Sequence, residues 1–144
     1  MPSLFANRLS GFANPQDEAQ LRDLDEAIRT VDLSGCGARE IREMLAVFER
    51  FPDDDGYGIF WSLVHCLEKC RGYEPLLVES AARAPTEFNL SMVSRLLNTG
   101  VTDVAGRSLL SVLEAAVTSP AASSNTQAFA RSFVECQRAQ SGAS

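Results

Sequence analysis

The chain has a single histidine, His65, a single lysine, Lys69, and no apolar run approaching the ~18–20 residues of a membrane span. Each scarcity removes a class of function. One histidine cannot form a multi-histidine metal site, and it is the only imidazole base available to activate a serine or cysteine nucleophile. Gly35-Cys36-Gly37 is followed by no Gly-Lys-Ser/Thr, so no phosphate-cradling loop is encoded. The opening Met1 to Arg8 stretch lacks the basic segment and apolar block of a secretory signal, and the expected compartment is the cytoplasm. Four cysteines, Cys36, Cys66, Cys70 and Cys136, could make two disulfides. Cys66 and Cys70 sit one helical turn apart, a poor geometry for bridging each other, so reduced and mostly buried thiols are expected.

What is present is a globular composition of 144 residues, 45% hydrophobic and 22% charged, enough for one domain with its own core. The basic residues are twelve Arg against the one Lys, a bias common in GC-rich bacteria. The net charge of −6 is unevenly spread. Residues 1–58 hold twelve acids and six Arg, a balance of −6; residues 59–144 hold seven of each sign. Such a balance disfavours a nucleic-acid partner, because phosphate binding needs a basic surface. It favours either a basic protein surface or simple solubility.

Hydrophobic periodicity predicts helices throughout. After an apolar arm over residues 1–13, Asn14-Pro15 is read as a helix start, with Leu21, Leu24, Ile28 and Val31 as the buried stripe. Further helices are predicted from about Ala38 to Phe51, Ile59 to Arg71, Tyr73 to Ala84, and from Pro85 to Leu97. Two more follow, from about Val104 to Thr118, capped by Thr102 or Asp103, and from Thr126 to Ala139, before a disordered tail over 140–144. The third of these helices is apolar nearly all round, which places it at the bundle centre. No segment alternates as a strand does. The expected fold is all-α: one domain, 1–144, of about seven short antiparallel helices, with stacked hairpins one arrangement open to it.

Asp53-Asp54-Asp55-Gly56 invites a calcium reading, yet with Gly56 at loop position 6 an EF-hand would need ligands from Phe51 and Ser62. His65 with Cys66 and Cys70 offers no tetrahedral set. Neither a metal nor another cofactor is expected, and the residues point away from catalysis and towards binding. The candidate contact residues are Glu40, Glu43, Glu49, Asp53, Asp54, Asp55 and Tyr57: an acidic helix face and an acidic loop that ends in an interface-prone aromatic beside glycines. An ordinary polar turn with a capping Asp accounts for the same loop.

The stretch Phe60-Trp61-Ser62-Leu63-Val64-His65-Cys66-Leu67-Glu68, then Gly72-Tyr73-Glu74-Pro75-Leu76-Leu77, Arg83-Ala84-Pro85-Thr86-Glu87-Phe88 and Ser94-Arg95-Leu96-Leu97-Asn98-Thr99-Gly100, resembles small helical immunity proteins of bacterial contact-dependent inhibition and related polymorphic toxin systems. The resemblance implies a cytoplasmic protein that binds a cognate toxin's C-terminal domain, often a nuclease or deaminase with a basic channel, and blocks it. On that reading Phe60 to Gly100 is scaffold and the acidic N-terminal part gives specificity. The alternative is a helical adaptor that binds a protein through a groove between the later helices, near Arg83, Arg95 or Arg107. Neither reading involves nucleic acid or a membrane.

Overall fold

A computed structural model describes residues 4–32, 34 and 36–142. Among these residues the chain forms eight α-helices and one two-stranded hairpin. The helices are α1 (Leu4–Ser10), α2 (Glu18–Thr30), α3 (Ala38–Arg50), α4 (Ile59–Lys69), α5 (Tyr73–Arg83), α6 (Glu87–Asn98), α7 (Leu109–Val117) and α8 (Ser124–Gly142). The all-α class expected from periodicity holds, with the apolar arm itself forming the additional helix.

Packing interleaves in the first half of the chain. α1 lies against α2 and α3, α2 against α4, and α3 against α5, whereas α5 to α8 pack on one another, α5 against α6 and α7 and α8 against α7 and α6. The core is a chain of aromatic rings linking the halves. Phe12 meets Phe60 at 6.3 Å, Phe60 meets Phe48 and Phe88 at 5.8 and 5.6 Å, and Phe48 stacks on Phe88 at 5.3 Å. Large rings carry a large share of burial energy, and most of these pairs adopt the edge-on geometry the ring quadrupole favours. Arg50 pins α1 to this core: its guanidinium donates to the carbonyls of Leu9 and Phe12 at 2.9 and 3.0 Å. Leu9 lies in the last turn of α1, where its carbonyl also accepts from the Phe12 amide, and Phe12 lies just beyond the helix.

Four elements depart from the expectation. The helix predicted at Pro15 begins later, at Glu18, because Asp17 is the better cap. Its carboxylate accepts from the Ala19 and Gln20 amides at 2.9 and 3.3 Å. Asn14 instead closes a turn by accepting from the Gln16 amide. The helix predicted from Val104 begins at Leu109, capped by the Ser108 hydroxyl, and Asp103–Val104 pairs with Arg107–Ser108 as an antiparallel hairpin. Ala105 and Gly106 make its tight turn with φ of 52° and 80°, the left-handed pair that a two-residue hairpin requires. α4 is not covered on all sides, since Trp61, Ser62 and His65 face outward. Finally, α8 runs through Gly142, beyond the expected start of the tail. Gln137, buried on α8, donates to Ser94 and Asn98 of α6 and anchors its last turns; residues 143–144 lie outside the described residues.

Candidate functional site

The connection between α3 and α4 carries the Asp-rich loop, and its backbone conformation is unusual. Gly56, Tyr57 and Gly58 are all left-handed, with φ of 57°, 53° and 87°. Gly56 is required twice over, because a Cβ there would also meet the Phe60 ring at 2.6 Å. Tyr57 has no such freedom, and a left-handed L-residue costs roughly 1–2 kcal/mol. The surrounding acids hold it there. The Asp54 carboxylate accepts from the Gly56 amide at 2.8 Å and the Asp55 carboxylate from the Tyr57 amide at 3.0 Å. The Asp55 carbonyl then accepts from the amides of Gly58 and Phe60.

The loop is also tied to distant elements. Tyr57 donates its hydroxyl proton to Gln16 Oε1 at 3.0 Å, and Gln16 Nε2 donates to Asp54 at 3.3 Å. Asp53 accepts from the Ser123 hydroxyl at 2.6 Å, and the same hydroxyl caps α8 by accepting from the Thr126 amide. The turn therefore joins the entry to α2 with the start of α8. It presents Tyr57, 71% exposed, with Trp61 close behind it in α4, 40% exposed and edge-on to Phe88 at 5.1 Å.

The structure adds a carboxylate that the sequence reading did not include. Glu87, half-buried in the first turn of α6, has its carboxyl pushed up from the ordinary value because burial disfavours its charge and because Asp55 and Asp53 lie near it. Helix N-termini attract acids, but here desolvation and like charge outweigh that attraction. The Glu87 position was legible only as an N-terminal helix acid, since nothing in sequence signals proximity across more than thirty residues. Trp61 falls in the helix whose apolar periphery places it at the bundle centre, and the structure leaves it 40% exposed.

The remaining candidates separate from this patch. Glu49 is held by Arg83, whose nitrogen lies 2.8 and 2.9 Å from its two oxygens, and by the Ser80 hydroxyl at 2.6 Å. Glu40 accepts from the Gly37 amide at 2.9 Å, capping α3, on a cleft shared with Leu4, Phe5 and Cys36. Glu43 lines the cleft between α3 and α5 that Glu49, Ser80 and Arg83 also line. Much of the acidity of α2 is compensated, with Glu18 paired to Arg22, Asp23 to Arg8 and Asp25 to Arg29. Among the described residues, Asp53, Asp54, Asp55 and Glu87 form no ion pair.

Elsewhere, the Arg95 guanidinium bonds both oxygens of Glu68 at 2.7 and 2.9 Å, and exposed His65 lies 3.8 Å from the same carboxylate. Among the described residues no group of three His, Cys, Asp or Glu is placed to hold a metal ion, and no helix is long and apolar enough to cross a membrane.

Compared with known proteins, the chain matches no family model, no curated sequence and no solved structure.

Proposed function

We propose that this chain is a binding protein whose surface of Asp53, Asp54, Asp55 and Glu87, with Tyr57 and Trp61, receives a basic protein domain. In the immunity-protein reading, that domain belongs to a cognate toxin and the contact neutralises it. One observation carries the proposal: four carboxylates with no cationic partner among the described residues adjoin two exposed aromatic side chains, Tyr57 on a turn tied at both ends and Trp61 in the first turn of α4. Lysine or arginine from a partner would relieve the repulsion that Glu87 registers, and charge complementarity would speed capture. Tyr and Trp are preferred interface anchors, and their ring faces accept cations as well. Within this reading Asp54 and Asp55 act twice, holding Tyr57 in its strained conformation while offering charge. Glu49 serves the scaffold through Arg83 and Ser80, and no catalytic step is involved.

The adaptor reading draws on a cleft of about 310 Å³ between α7 and α8, lined by Val117, Val134, Glu114, Arg131 and Arg138. Arg83 and Arg95 are engaged by Glu49 and Glu68, which leaves that reading with fewer free cations.

The deciding experiment is co-expression with the product of the neighbouring gene, which this reading expects to carry a toxin domain, scored by growth and by co-purification. Protection that is lost in Asp53→Lys/Asp55→Lys, with helical content unchanged, supports the reading. A wild-type chain that neither co-purifies nor protects would overturn it.

A further inference from the structure

Three helices lie side by side with α6 in the middle. Trp61 and Glu68 of α4 meet Phe88 and Arg95 of α6, so these two helices run in the same direction. On the other side, Gln137 of α8 donates to Ser94 and Asn98 near the end of α6. The Ser123 hydroxyl, which caps α8, donates to Asp53, and Asp53 lies near Glu87 at the start of α6, so α8 runs the same way. Ser94 and Arg95 thus reach opposite neighbours from consecutive positions. Ser91, one turn earlier, stands between those two contacts, with Glu87 a further turn back.

Both walls of this face are aromatic. Trp61 forms the α4 wall. Phe133 and Phe129, one and two turns before Gln137, form the α8 wall and stack with centroids 6.4 Å apart. They lie on the edge of α8 that faces α6, because Val134 and Arg138 line the α7–α8 cleft on the opposite edge. Phe133 packs partly on the core, whereas Phe129 is 39% exposed. Between the walls, Ser91 is only 8% exposed, yet its hydroxyl has no hydrogen-bond partner among the described residues and is left at the open surface. A serine inside a helix commonly donates to the carbonyl one turn back, and this one does not.

We propose that the face between Trp61 and the Phe129–Phe133 pair seats one amphipathic helix of the basic partner, laid along α6 over Ser91. The inference rests on the binding reading above and names the element through which the partner docks. A helix fits because the backbone groups of α4, α6 and α8 are paired within their own helices, so an extended segment has no sheet edge to join. The 12 residues of α6 give a seat about 18 Å long, or three turns of a partner helix. Its apolar stripe covers the aromatic walls, a polar side chain completes the Ser91 hydroxyl, and lysine or arginine at one end meets Glu87, Asp53 and Asp55. A second copy of this chain suits the face less well, since its Arg95 is already held by Glu68 and brings no free cation to Glu87.

Trp61 is the single tryptophan of the chain, so its fluorescence reports directly on this face. The probe is a tryptophan-free peptide of about 12 leucines and lysines in helical period, compared with the same composition in strict alternation. Titrated into the full-length chain, the helical peptide should shift Trp61 emission to the blue and gain helicity. Phe129→Ala, at an exposed position, should weaken binding about tenfold, and Asp53→Lys/Asp55→Lys should weaken it as well. Weakening in the Asp variant but not in Phe129→Ala, or equal binding of the alternating peptide, would overturn the docking face and leave the basic-partner reading standing. Weakening in neither variant would overturn both. A Trp61 shift that follows the chain's own concentration without peptide would assign the face to a second copy, and no Trp61 response to the helical peptide would remove the seat altogether.

Discussion

One nitrogen of Arg83 sits 2.8 and 2.9 Å from the two carboxylate oxygens of Glu49, joining α3 to α5. The Ser80 hydroxyl, which donates to the same carboxylate, accepts from buried Asn89, and Asn89 completes the reciprocal cap with Thr86 that starts α6. A single polar chain thus orients three helices and sets where Glu87 stands. Removing Glu49 as Glu49→Ala leaves Ser80 without its acceptor and Arg83 with Glu79 alone, and the expected loss is about 1–3 kcal/mol by urea unfolding. Partner affinity measured on the folded fraction should change little.

Gly56→Ala tests the turn that presents Tyr57. The new methyl group meets the Phe60 ring at 2.6 Å in a left-handed backbone. Overpacking of this kind costs about 1–3 kcal/mol, and the variant should melt earlier with a perturbed aromatic circular dichroism signal.

Ala105→Gly should move stability the other way. Ala105 holds φ of 52° at the hairpin tip, which glycine adopts without a Cβ clash. A gain of about 1 kcal/mol is expected from the strain removed, read as a higher denaturant midpoint with an unchanged slope.

Glu87 carries a pH signature. Its carboxyl is raised in the fold, chiefly by burial and then by Asp55 and Asp53. A raised carboxyl contributes stability when protonated and loses it as pH climbs through the folded-state value. Glu87→Gln should therefore be more stable than wild type at pH 7. The advantage should disappear below the ordinary carboxylate range, where both forms are neutral. Equal stability at both pH values would remove the like-charge strain from the account.

Periodicity made most helices legible, because Leu21 and Leu24 of α2 or Ile41, Met44, Leu45 and Phe48 of α3 fall on one face and are buried there. Boundaries failed where two local signals competed. Asn14-Pro15 resembles a helix start, but Asp17 offers a carboxylate with two amides in reach. Val104-Ala105-Gly106-Arg107 lacks the Asn-Gly signal of a tight hairpin, so its turn was read into a helix. For the candidate site, Asp53 to Tyr57 was legible as one loop. Glu40, Glu43 and Glu49 share a helix in sequence, yet Glu40 caps α3 on one cleft, whereas Glu43 and Glu49 line another, where Arg83 holds Glu49. Glu87, Gln16 and Ser123 reach the loop only through long-range folding, for which a single sequence carries no local mark.

The central claim is that this surface captures a basic partner by charge and by an aromatic anchor. The most direct measurement is the association rate constant of the basic partner domain that the proposal requires, sought first in the product of the neighbouring gene, followed across ionic strength for wild type, Asp53→Lys/Asp55→Lys and Tyr57→Ala. The double variant should associate more slowly at low salt and show a flatter salt dependence, because steering by the loop has been reversed. Tyr57→Ala should keep the association rate and dissociate about tenfold faster or more. Unchanged rates and salt dependence in both variants, with the complex intact, would place the contact elsewhere on the bundle.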